Sequence, residues 1–112
     1  MIKIVIKEPD KTPYIKEVDG SLQSMQSIVG GHIEVIPADI IVGAEVLPKD
    51  KLLLVINEEG RLNNLRLNFP ICNNADWIMG TAFICKADEE EMVGLTDDEA
   101  ALVMGLFKGK EG

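Results

Sequence analysis

The stretch Pro13-Tyr-Ile-Lys-Glu-Val-Asp-Gly-Ser-Leu-Gln-Ser-Met-Gln-Ser-Ile-Val-Gly-Gly-His-Ile-Glu-Val-Ile-Pro37 decides the fold. It reads as strand, capped helix, glycine stop and strand. Ser21 is a good N-cap because its hydroxyl can accept from an otherwise unpaired amide of the first turn. Leu22, Met25, Ile28 and Val29 then fall on one helical face. Gly30-Gly31 ends the helix, since glycine tolerates the left-handed turn at a C-terminus. Ile33, Val35 and Pro37 then alternate with His32, Glu34 and Ile36, as in a half-buried strand. These residues dictate a β-α-β core.

On the N-terminal side, Ile2, Ile4 and Ile6 alternate with Lys3, Val5 and Lys7, which predicts a first strand. Pro9-Asp10-Lys11-Thr12 is turn chemistry, so Tyr14 to Val18 returns as the second arm of a hairpin. On the C-terminal side, Ala38 to Asp50 leaves two readings, an edge strand or a loop that folds back, because Gly43 and Pro48 interrupt Ile40-Ile41-Val42. Leu52 to Ile56 is almost continuously apolar, as for a central strand covered on both faces. Asn57-Glu58-Glu59-Gly60 is a turn. Arg61 to Asp76 reads as a long connection over the sheet, broken by Pro70 and Asn73-Asn74. Trp77 to Lys86 reads as the last strand, with Gly80 as a bulge or close backbone approach. Thr96-Asp97-Asp98-Glu99 is a capping box for a helix to about Phe107. Ala100, Val103, Met104 and Phe107 make its apolar stripe, with Leu102 and Leu106 beside it. The prediction is a single α+β domain over 1–108 with a frayed tail at 109–112. Its sheet has about five strands, mixed or mostly antiparallel, in the order β-β-α-β-(β)-β-β-α, with one or both helices on one sheet face.

Composition narrows the chemistry. The 112 residues carry a net charge of −8, which argues against direct binding to a nucleic-acid backbone. Asp88-Glu-Glu-Glu91 and Asp97-Asp-Glu99 concentrate that acid. They read as solvated loop and helix N-terminus, where carboxylates complement the macrodipole, or as an acidic face for a basic partner. No apolar run is long enough for a membrane span, and the first residues lack a signal-peptide core; a cytoplasmic setting is expected. Cys72 and Cys85 have no CxxC spacing, and with a single histidine a zinc site is not expected. Cys85, in an apolar strand, reads as a buried small hydrophobe.

Catalytic motifs do not emerge: no nucleophile elbow, no P-loop, no dinucleotide fingerprint. Gly30-Gly31 comes after its helix and so cannot seat a phosphate on a helix N-terminus. His32 reads as solvent-facing, and Glu58-Glu59 as a wet hairpin tip where carboxylate pKa tuning is not available. A binding role is therefore expected, with no catalytic residues and no cofactor. Its site is placed where the Asn57–Gly60 turn, the 61–76 connection and Trp77 meet. Arg61 or Arg66 would hold an anionic group, Asn57 and Asn68 would hydrogen-bond a polar ring, and Trp77 or Tyr14 would stack. The wide apolar face of the C-terminal helix predicts a homodimer or higher oligomer, through that helix or an edge strand.

Glu8-Pro9, Pro13-Tyr14, Asp19-Gly-Ser-Leu22, Met25-Gln26, Ile28-Val-Gly-Gly31, Ile33-Glu-Val35, Asn57-Glu-Glu-Gly60, Gly80-Thr-Ala-Phe-Ile84 and Leu95-Thr-Asp97 together resemble the family of the domain of unknown function 3846 over nearly the whole chain. The chain departs from that pattern at Ala38–Asp50 and at Trp77-Ile78-Met79. The resemblance implies a small protein of phages and other mobile elements, and it carries no catalytic residues over. By association it implies an antagonist of host defence that sequesters a small nucleotide-like ligand or a host protein. The alternative is a structural or replication-associated accessory protein acting through protein contacts.

Overall fold

A computed structural model describes residues 1–47 and 51–108. The tail expected at 109–112, and Pro48 to Asp50 of the ambiguous stretch, lie outside the described residues. The chain runs β1 (Ile2–Lys7), β2 (Tyr14–Val18), α1 (Leu22–Val29), β3 (Ile33–Pro37), two single turns of 3-10 helix (Ala38–Ile40 and Ala44–Val46), β4 (Leu52–Asn57), β5 (Leu67–Ile71), β6 (Asp76–Met79), β7 (Ala82–Asp88), β8 (Glu91–Val93) and α2 (Asp97–Phe107). It is a single α+β domain.

The main sheet has six strands. Five run in the order β2-β1-β7-β4-β3, every neighbouring pair antiparallel. The sixth, β8, pairs with β7 beyond the end of β1. Four antiparallel steps make the two edge strands, β2 and β3, run the same way. The β-α-β unit read from Pro13–Pro37 is therefore present, but its strands are not neighbours: β1, β7 and β4 lie between them. An eight-residue helix is about 12 Å long, whereas four strand spacings amount to about 19 Å, so α1 and its flanking residues bridge the whole sheet. Its ends are as the residues require. Ser21 accepts from the Ser24 amide, and Gly30 adopts φ 83° at the C-cap.

The alternation of each strand sends side chains to two separate cores. Ile4, Ile6, Val55, Phe83 and Cys85 meet Met25 and Val29 of α1 on one face. Val5, Leu54 and Ile84 meet Ala100, Val103, Leu106 and Phe107 of α2 on the other. The helices thus cover opposite faces, so that of the expected one or both helices on a sheet face, each face carries one. The α2 face is shared with a second, two-stranded sheet made of β5 and β6. Phe69 of β5 lies against Phe107 of α2, with ring centroids 4.9 Å apart and a tilt of 50°.

Two readings are corrected. The segment 61–76 is not an irregular connection: it contains β5 and leads into β6, with a register shift between Leu67 and Phe69. Trp77 to Lys86 is not one strand. Gly80, at φ 87°, breaks it into β6 and β7, which belong to different sheets. A Cβ at Gly80 would lie 2.6 Å from the end of the Leu65 side chain, which would have to shift, and the left-handed backbone itself favours glycine. Of the two readings left open for the stretch after β3, residues 38–47 take the second, a segment without a strand that folds back onto the core. Ala38, Ile41, Ala44 and Leu47 are buried, and Ile41 makes a single bridge to Ile71.

The capping box of α2 is complete: Thr96 accepts from the Glu99 amide, and Glu99 accepts from the Thr96 amide. The wide apolar face of that helix is mostly used inside the chain. Leu106 is buried with Val103 and Phe107, Met104 is half-buried, and only Leu102, 43% exposed, lies outward. The exposed second stripe that motivated oligomerisation through this helix is thus reduced to one leucine.

Candidate functional site

Beside α2, which packs over β1 and β2, the β5–β6 hairpin meets β4 and leaves a cleft of about 280 Å³ lined from β3, β4 and the hairpin. Ile36 and Ile56 from the large sheet and Ile71 and Ile78 from the hairpin form its apolar walls. Glu34, Asn57, Glu58, Arg61, Asp76 and Trp77 supply its polar and aromatic groups. Pairing sets this grouping, since Glu34 stands opposite Ile56 and Ile36 opposite Leu54. Ile36 and Ile56 lie on the face of the sheet that carries the α2 core, and there they line the cleft.

The polar end is built by the turn after β4. Asn57 is buried: its Nδ2 donates to the Val29 carbonyl at 3.1 Å and its Oδ1 accepts from the Glu59 amide at 2.8 Å. It ties the turn to the C-terminus of α1. The Glu58 amide donates to the His32 carbonyl at 2.8 Å. A Cβ on Gly60 would meet the Met79 carbonyl at 2.6 Å, so only glycine allows the turn to touch β6 this closely. Arg61 then ion-pairs with Asp76 across the cleft mouth. That guanidinium, together with the Trp77 amide, holds the Asp76 carboxyl below its ordinary range. Trp77, the single tryptophan, is 41% exposed at this end.

The six residues expected at a site are thus divided among three places. Asn57, Arg61 and Trp77 come together in the cleft. Asn68 does not. It is buried at the far edge of the hairpin, where its Nδ2 donates to the Lys7 and Gly80 carbonyls, both at 2.8 Å. Its Oδ1 accepts from the fully buried Lys7 amine at 3.1 Å, and that amine also donates to the Glu8 carbonyl at 2.7 Å. Arg66, nearby in sequence, is ion-paired with Asp10 of the β1–β2 turn. Tyr14 lies on the α1 face. Its hydroxyl donates to Glu8 at 2.8 Å, and burial together with that carboxylate pushes its pKa up to about 12. It lines a separate groove with Lys16, Ser27, Ile28 and Thr81.

Two of these placements bear on the expected chemistry. The Asn68 amide is committed to two backbone carbonyls and to Lys7, and the Asn57 amide bonds the Val29 carbonyl and the Glu59 amide. Both arginines are in exposed ion pairs with carboxylates of this chain. Residues that sequence reasoning missed are Glu34, the four isoleucines and Met79. Only the strand alternation of Ile33–Pro37 hinted at Glu34, because the hairpin that completes the cleft was not foreseen.

Other reactive groups lie elsewhere. Burial pushes the Cys85 thiol up to about 12, which keeps it protonated; Cys72 is exposed, and the two are not bonded. Among the described residues, no group of three or more His, Cys, Asp or Glu side chains converges as a metal site. No helix among them is long and apolar enough to cross a membrane.

The architecture defines a small α+β domain with an antiparallel sheet, a helix on each face and a hairpin-roofed cleft. The chain belongs to the family of the domain of unknown function DUF3846, whose sequence model matches residues 2–108. No curated protein and no solved structure gives a significant match to it.

Proposed function

We propose that this chain is a non-catalytic binding protein and that the cleft between β3–β4 and the β5–β6 hairpin is its docking site for a partner protein. The observation that carries this reading is Trp77, held half-exposed beside four isoleucine side chains at an open cleft. A large aromatic anchor beside apolar surface and ringed by polar groups is the composition of a recognition hot spot. The rim is also pre-organised. Asn57 and Gly60 fix the turn, so little ordering entropy is lost on docking.

In the mobile-element setting that the family resemblance implies, a host protein met in the cytoplasm is the natural class of partner, and antagonism of a host defence is the corresponding role. A nucleotide-like ligand is the less favoured occupant, because the groups meant to hold it are engaged within the chain. The reading is tested by recovering the tagged protein from host cells, as wild type and as Trp77→Ala, and comparing both the proteins and the released small molecules by mass spectrometry. One protein partner retained by the wild type and lost from a folded Trp77→Ala variant is the expected result. Identical recovery with both chains, or a nucleotide as the sole wild-type companion, would sink it.

A further inference from the structure

We infer that the cleft takes an arginine side chain of its partner, the alkyl stem lying against Trp77 and the isoleucines and the guanidinium among Glu34, Glu58 and Asp76. This rests on the cleft being a docking site, as proposed above, and specifies what enters it. Charge points to a cation. Three carboxylate side chains line the cleft against one guanidinium, and Arg61 is already paired with Asp76. Glu34 and Glu58 are therefore in excess, and the chain as a whole carries −8. An incoming anion would face that excess and would have to displace Asp76 from Arg61. An incoming cation meets complementary potential and is steered by the field of the whole protein.

The apolar lining points to a long side chain over a free ion. Ile36, Ile56, Ile71 and Ile78 cannot solvate a small cation, but they can cover a methylene stem while its charged head stays at the rim. Trp77 favours arginine over lysine. A planar guanidinium stacks on an indole face and still presents N–H groups to carboxylates at its edge, which a compact ammonium cannot do together.

The test uses the full chain labelled with nitrogen-15 and the peptide Ac-Leu-Arg-Val-NH2. The comparison probes carry citrulline, the neutral isostere of arginine, or lysine at the central position; adenosine monophosphate is the fourth probe. Arginine peptide should shift the Trp77 indole N–H and the amides of Glu34 and Glu58, and the effect should weaken with added salt. Citrulline should bind about tenfold more weakly, and so should arginine peptide to the Glu34→Gln/Glu58→Gln variant. Both glutamates are exposed, and an unchanged far-ultraviolet spectrum confirms that this variant is folded. Equal binding of arginine and citrulline, tighter binding of lysine, or no loss in the double variant would overturn the inference. If adenosine monophosphate shifts the cleft resonances and no peptide does, the partner-protein reading falls together with the inference, whereas a peptide that binds without preference for arginine overturns the inference alone. If no probe shifts them, both fall.

Discussion

The two ends of the β5–β6 hairpin use similar residues for opposite purposes. At one end Asn68 is 4% exposed and Lys7 is wholly buried, and the hydrogen bonds between them and to the Gly80 carbonyl are spent on the chain itself. At the other end Arg61, Asp76 and Trp77 stand at the surface, joined by an exposed ion pair. An amide or a cation at the first end is a fastener. At the second it is rim chemistry, exchangeable with solvent or a partner. The difference is burial, because the same hydrogen bond that contributes little in water becomes costly to lose where no water can replace it.

That contrast is most directly broken at Asn68. Asn68→Ala strips an acceptor from the buried Lys7 amine and a donor from two buried carbonyls, and should cost roughly 3 kcal/mol. Urea denaturation would show it as a lowered midpoint; a midpoint within error of wild type would mean that the fastener is not one. Gly80→Ala attacks the same end through the backbone, combining a positive φ with contact on Leu65, and should cost about 2 kcal/mol in the same measurement. Thr96→Ala, in the capping box of α2 and away from the hairpin, calibrates the scale at about 1 kcal/mol. At the open end, Trp77→Ala and Arg61→Ala should leave the midpoint close to wild type, since an exposed ion pair contributes little. A large loss at Arg61 would erase the distinction between the two ends.

Acid should discriminate more gently. Asp19 is held down to about 2 by hydrogen bonds from the Ser24 hydroxyl and from Ser21 at the start of α1. Asp76 is lowered by Arg61, and Asp97 by Lys3. Glu99 is also lowered: burial works to raise it, but the Thr96 amide and Lys86 outweigh that. A carboxyl depressed in the folded state stabilises above its unfolded pKa and loses that contribution as pH falls through the folded one. The thermal midpoint should therefore hold at neutral pH and decline from about pH 4 toward about pH 2. Asp19→Asn should flatten part of that decline while leaving cleft occupancy unchanged.

Most of the large sheet was legible because its strands and helices carry their own signals. Ile2–Lys7 alternates, Leu52–Ile56 is continuously apolar, and Ser21 and Thr96 cap the helices that begin beside them. The hairpin was not legible because its strand state comes from elsewhere in the molecule. Asn68 and Pro70 favour turns on their own, and they are held extended by Lys7, Gly80 and pairing with β6. β8 was missed for a related reason: Glu91 lies just after an acidic turn with Glu89 at φ 58°, and pairing with β7 overrides its propensity. Of the site, the Asn57–Gly60 turn and Trp77 could be located from sequence. The isoleucine walls and Glu34 could not, since they become a cleft only when the unforeseen hairpin closes over them.

β7 lies between β1 and β4, yet it is among the last strands to be synthesised. Until it leaves the ribosome, the inner edges of β1 and β4 lack the strand that joins them in the finished sheet. At about 5–20 residues per second, that interval lasts seconds. Exposed inner edges are sticky templates for other chains. Slowing translation between Asn57 and Asp88 should therefore lower the yield of native protein without altering the native protein at all.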